Sequence, residues 1–140
     1  MRLDPVAEGA RWLEQADEDL TTAEILLREE RFYMVCFVAQ QAAEKAFKAL
    51  LHALGEEVVL GHSVEELGRR AFAREPTLEE PARRAAELDA YYFPTRYPNG
   101  LPASIPARVF GREAGERALG TAREAVLAVR SRWPAGGTAS

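Results

Sequence analysis

One stretch of this sequence leaves little choice of fold. From about Phe32 to Leu54, apolar residues at helical spacing cover nearly the whole circumference of a helix, among them Val35, Phe37, Ala39, Ala43, Phe47, Leu50 and Leu51. A helix that is apolar most of the way round must be packed on several sides, so it predicts a central helix with others around it. Its polar residues are confined to Gln40, Gln41, Glu44, Lys45, Lys48 and His52. Of these, Gln41, Lys45 (or Glu44), Lys48 and His52 fall on one stripe, readable as the lining of a polar cleft or as a solvated face. Gly55 supplies the stop.

The flanking segments supply partners for that helix. Asp4-Pro5 opens a first helix to about residue 30, with Leu13, Ala16, Leu20, Ala23 and Leu27 as its apolar stripe. Ser63 with Glu66 forms a capping box for a short helix to about Arg74, and Thr77 with Glu80 a second one for a helix to about Tyr92. A last helix from about Ala107 to Arg132 carries a seam of Gly115, Leu119, Ala122, Val126, Val129 and Trp133. Alanine occurs 25 times against 11 for valine and isoleucine together, and no strand pattern appears. The expected fold class is all-α: an up-down antiparallel bundle of four to five helices. It is a single domain over residues 1–134 with a disordered tail at 135–140. The first helix is acidic and the last basic, which favours their antiparallel adjacency or a contact between subunits.

Several function classes drop out. At 140 residues the chain builds one core without staples, and its net charge of −4 argues against a general nucleic-acid coat or a membrane-surface binder. The longest apolar run, Phe32 to Ala39, falls far short of the ~20 residues of a membrane span. One cysteine, Cys36, and two histidines, His52 and His62, do not make a structural zinc site without several carboxylates. There is no glycine-rich phosphate loop, nucleophile elbow or metal-ligand spacing, so no catalytic residue, metal or cofactor is assigned. No secretory signal is visible, and a cytoplasmic setting is the expectation.

Residues 93–106 read FPTRYPNGLPASIP, with a large apolar residue before each of four prolines. Residues before proline are driven to extended conformations, so the segment predicts an extended strap anchored every four residues. Within it Arg96 lies between Pro94 and Pro98 and is flanked by Tyr91, Tyr92, Phe93 and Tyr97. A guanidinium on a stiff backbone offers a two-pronged fork to phosphate or carboxylate, and tyrosines offer stacking faces to a base. Two readings follow: an anion or nucleotide clamp at Arg96, Tyr97, Tyr91 and Tyr92 with charge from Lys45 or Lys48, or an arginine pinning the strap to a buried carboxylate such as Glu44.

Three stretches together resemble the HEPN domains (higher eukaryotes and prokaryotes nucleotide-binding), in their small stand-alone prokaryotic form. They are Ala16-Asp17-Glu18-Asp19-Leu20, then Phe37 through Ala46 with Lys48, and Leu88-Asp89 followed by Tyr91-Tyr92 and Pro94-Thr95-Arg96-Tyr97-Pro98. The Gly61-His62-Ser63 helix start also fits. The resemblance implies a homodimer, a nucleotide ligand, and a minimal nucleotidyltransferase as partner, the pair often acting as toxin and antitoxin. It also implies a family of metal-independent ribonucleases whose motif is an arginine followed within a short spacer by a histidine. Arg96 matches the arginine. No histidine follows it, since His62 is the last in the chain. The resemblance therefore implies phosphate recognition without the family's acid–base residue, with RNA not excluded as a ligand. A ribonuclease in which folding brings His52 or His62 to Arg96 is one alternative, and a purely structural interaction module is another.

Overall fold

A computed structural model describes residues 4–134; the tail at 135–140, expected to be disordered, lies outside them. Three long helices dominate: α1 (Pro5–Arg28), α2 (Phe32–Ala53) and α6 (Arg112–Ser131). Shorter ones are α3 (Val64–Arg74), α4 (Glu79–Ala85) and α5 (Pro106–Val109). No strand occurs among the described residues. The expected all-α bundle is the fold.

The helix ends follow local chemistry. Asp4 accepts the Ala7 amide at 3.2 Å, and Pro5 takes the first helical position, where its missing N–H costs nothing. Both α1 and α2 end in paired 6→1 and 5→2 amide–carbonyl bonds around a left-handed residue. For α2 that residue is Gly55 (φ 107°), with the Glu56 amide on Leu51 O; for α1 it is Glu30 (φ 57°), with the Arg31 amide on Leu26 O.

α2 is the centre, as its all-round apolar surface demands. α1 and α6 pack along it, α3 covers another side, and Val35, Ala39, Ala43, Phe47 and Leu51 have no exposed surface. Small residues set the spacing. A Cβ on Gly9 of α1 would lie 2.5 Å from the Ala49 carbonyl oxygen and 2.9 Å from the Ala53 methyl of α2. α6 runs antiparallel to α1, and Asp17–Arg130, Glu24–Arg123 and Glu30–Arg112 pair across the seam in reversed order. Exposed pairs of this kind add little stability, but they favour one register. The charge asymmetry between the first and last helices is thus used within the chain. Cys36 is fully buried, and desolvation pushes its thiol up to about 12, so it is core filler.

Four local expectations need correction. The helix expected to reach Tyr92 is α4 only as far as Ala85 and continues as a 3-10 segment, Ala86–Tyr91. Pro81 sits in its first turn, where it is tolerated. The Thr77–Glu80 capping box does not form: Pro76–Leu78 is a 3-10 turn, and the Thr77 hydroxyl donates to Glu75 instead. The last helix begins at Arg112, because Phe110 and Gly111 are extended and separate it from α5.

The fourth correction is the strap. It is extended only just before prolines, at Tyr97, Leu101 and Ile105, whereas residues 93–96 form a turn and Pro98–Gly100 a 3-10 turn. Phe93, Tyr97 and Ile105 are not anchors; they stay 40–45% exposed. The proline rule constrains the preceding residue's backbone and says nothing of where its side chain goes.

Gly9→Val is expected to lower stability by about 1–3 kcal/mol, because the new side chain meets backbone that is unable to yield. Gly120→Ala, where no atom lies within 4 Å of the added methyl, is expected to be neutral or to raise stability by up to about 1 kcal/mol. Urea denaturation of the two variants measures the contrast.

Candidate functional site

Four of the six polar residues of α2 are buried and the other two, Gln41 and Lys45, are half-buried, and that burial builds the site. Of the stripe, Glu44, Lys48 and His52 are buried and Gln41 and Lys45 half-buried, so it is not a solvated face; Gln40 beside it is buried too. Buried polar groups need partners. Glu44 finds Lys48 Nζ at 3.2 Å one turn on, Gln41 Nε2 at 3.3 Å, and His62 Nδ1 at 3.3 Å from the loop before α3. Gln40 donates to the His62 carbonyl at 2.8 Å and accepts from Gln41 at 2.8 Å. His52 stands apart: its Nδ1 is 3.0 Å from Glu56 O and its ring stacks on Trp12. Lys45 turns toward α1 and pairs with Asp19 at 2.6 Å.

Asp89 fixes the loop that carries His62. Its carboxylate accepts the amides of Val64 (2.7 Å) and Glu65 (3.0 Å) and the Ser63 hydroxyl (2.9 Å), while Ser63 Oγ accepts the Glu66 amide. The expected Ser63 cap is present, joined by a carboxylate 26 residues away. A negative charge at a helix N-terminus is favourable both through hydrogen bonds and through the helix dipole. The segment holding Asp89 is itself pinned by Glu87, which takes two bonds from the Arg117 guanidinium of α6, at 3.1 and 2.9 Å. Those bonds hold the Glu87 carboxyl below the usual carboxylate range.

This frame delivers Tyr92 and Arg96. The His62 ring stacks on Tyr92 with centroids 5.3 Å apart and planes 18° apart. Arg96 follows one turn on, and its Nε–H donates to the Tyr92 carbonyl at 2.8 Å. Its guanidinium carbon lies 4.5 Å from the Tyr92 ring centre, 4.6 Å from Phe37 and 5.1 Å from Tyr97. Three aromatic rings therefore surround one cation, each contact worth roughly 0.5–1 kcal/mol where solvent reaches it. Among the described residues Arg96 has no carboxylate partner. The reading in which it pins the strap to Glu44 is overturned, since Glu44 is held by Lys48 and His62.

Of the residues singled out in sequence, Arg96, Tyr92 and Tyr97 are gathered together. Glu44 and Lys48 reach them through His62. Tyr91 instead lies edge-on to Phe110, against the core, where desolvation raises its phenol. Phe37 and Asp89 are additional members that sequence did not mark for a site. Phe37 is one apolar residue among many on α2, and nothing local ties Asp89 to Ser63.

The family model for the HEPN domain matches residues 10–132 of this chain. Two crystal structures are similar to it. TT1696 from Thermus thermophilus is 39% identical, with a TM-score of 0.78 over 89% of this chain and 98% of that one. ST0689, described as an archaeal HEPN homologue, is 27% identical, with a TM-score of 0.74 over 91% of this chain and 98% of its own. Among curated proteins no match is found.

Glu44→Leu is expected to destabilise the fold by about 3–5 kcal/mol, because the Lys48 ammonium stays buried without its carboxylate. Adding Lys48→Met in the same chain should recover most of that loss. Equal losses in the single and double variants by urea denaturation would contradict the pairing.

Proposed function

The chain belongs to the HEPN domain family, and from that premise we propose that it is a non-catalytic, phosphate- or nucleotide-binding member that works as a homodimer. The observation that carries this reading is the state of Arg96. Its Nε–H is used on Tyr92 and its faces are covered by rings, yet its two terminal NH2 groups have no carboxylate among the described residues. A guanidinium held this way is pre-organised for a phosphate, which takes two parallel N–H···O bonds from it. Tyr97, 45% exposed, packed on Phe93 and set against the guanidinium, places aromatic surface beside that phosphate for a nucleobase. Lys48 contributes through Glu44 and His62 rather than directly, and Lys45 is engaged with Asp19.

The partner proposals follow from family membership together with the surface. Phe93, Tyr97, Ile105 and Val109 are all at least 40% exposed between residues 93 and 109, an apolar display suited to a protein contact. We assign it to the homodimer or to a minimal nucleotidyltransferase docked beside it, as one component of a toxin–antitoxin pair. Membership alone does not argue for ribonuclease activity here, because no histidine follows Arg96 in the chain.

Calorimetric titration with ADP tests the reading, on a sample whose mass by light scattering should be twice that of the chain. Saturable binding to the wild type is expected, with affinity falling by about tenfold or more in Arg96→Ala, equivalent to about 1.4 kcal/mol. Equal binding, or none, in both proteins would contradict it.

A further inference from the structure

His62 joins two sets of contacts that the Arg96 reading leaves unused. Its Nδ1 faces both oxygens of Glu44, at 3.3 and 3.4 Å. That carboxylate is itself fixed by burial, by Lys48 and by Gln41. A carboxylate in this place holds the proton on Nδ1 and leaves Nε2 as the ring's outward nitrogen. The imidazole is 61% exposed, so solvent or a ligand can reach it. Its backbone is held by Gln40, and the following residues by Asp89, so the ring is positioned before any ligand arrives. The same Tyr92 ring that carries His62 at 5.3 Å carries the Arg96 guanidinium at 4.5 Å.

We infer that His62 is a second anion contact of the Arg96 site, engaged in its protonated form, so that the site prefers a nucleotide with a pyrophosphate unit and takes up a proton on binding it. The inference rests on the phosphate-binding reading of Arg96 and adds a residue, a ligand class and a proton linkage to it. A pyrophosphate presents two phosphates, one for each donor carried by the Tyr92 ring, whereas a single phosphate engages one of them. When His62 is protonated both ring nitrogens donate: Nδ1–H to Glu44, and Nε2–H to the second phosphate.

The charges around His62 decide the sign. From α2 its ring meets Glu44, whose charge Lys48 shares, with the neutral Gln40 and Gln41 beside it; from residues 86–97 it meets Tyr92, which also carries Arg96, while Asp89 holds the residues after it and Glu65 and Glu66 begin the adjoining α3. Glu44 already shares its charge with Lys48, and Asp89 is engaged with amides, so neither carboxylate is a free counter-charge for the outward nitrogen. An incoming pyrophosphate supplies that counter-charge and favours the imidazolium. Binding therefore raises the proton affinity of His62, and by reciprocity ligand affinity increases as pH falls and is lost as pH rises.

ADP titrated calorimetrically into the full chain near pH 6 and pH 8, in two buffers of different ionisation heat, tests this. The wild type should bind about tenfold tighter at the lower pH and take up more protons than His62→Phe, which keeps a ring on Tyr92. The ligand's own terminal phosphate titrates in the same range and is common to both proteins, so the difference between them isolates the imidazole. AMP should gain less than ADP from His62. If Arg96→Ala abolishes ADP binding while His62→Phe keeps wild-type affinity and proton uptake, the Arg96 reading stands and the His62 inference falls. If the wild type binds ADP at neither pH, both fall. Should His62→Phe not fold, the wild-type His62 imidazole resonance provides the readout: its titration midpoint should move up with saturating ADP, and an unmoved midpoint overturns the inference.

Discussion

The burial of α2 on several sides is the constraint from which the rest follows. Once Ala39, Ala43, Phe47 and Leu51 are sealed by α1, α3 and α6, the polar residues on the same helix are sealed with them. Gln40, Glu44 and Lys48 then have to be satisfied by protein groups, because leaving a buried charge or amide unpaired costs several kcal/mol. Lys48 and Gln41 answer Glu44 and Gln40 from within the helix, and the remaining capacity of the two reaches out to the loop at His62 and to Asp89, which holds that loop. A requirement of the core thereby becomes a positioning device for a surface residue.

The second link is the N-terminus of α3. Its first amides are taken by Ser63 and by Asp89, so the start of α3 and the 3-10 segment at 86–91 are tied to each other. Arg117 of α6 grips that segment again through Glu87. Tyr92 is the next residue after it and Arg96 lies one turn further on. The guanidinium thus sits at the end of a chain of contacts that begins in the core, passes through two carboxylates and one helix cap, and ends in three aromatic rings. Rigid support of this kind lowers the ordering cost of binding, which is what a phosphate fork needs.

How much of this was legible depended on the range of the interaction. The three long helices, their antiparallel order and the Ser63 cap follow from periodicity, charge asymmetry and capping chemistry, all of which act within a few turns or along whole helices. Arg96 stood out because prolines and aromatics surround it in sequence. The companions that position it did not. Asp89 meets Ser63 across 26 residues and Glu44 meets His62 across 18, and only the tertiary path decides such contacts. Phe37 reads as core until the Arg96 side chain lies over it. The 93–106 segment shows the opposite failure: the proline rule held at Tyr97, Leu101 and Ile105, but a backbone rule says nothing of side-chain burial, and three of the supposed anchors face outward.

The central claim is that the Arg96 guanidinium is held among rings with its terminal nitrogens open to a phosphate. The most direct measurement is the side-chain N–H resonances of Arg96 in a 15N-labelled sample titrated with ADP. The account predicts a saturable shift of Arg96, with Arg117, already bonded to Glu87, left in place. An Arg96 signal that stays fixed, or that moves only as much as every other exposed arginine, would contradict it.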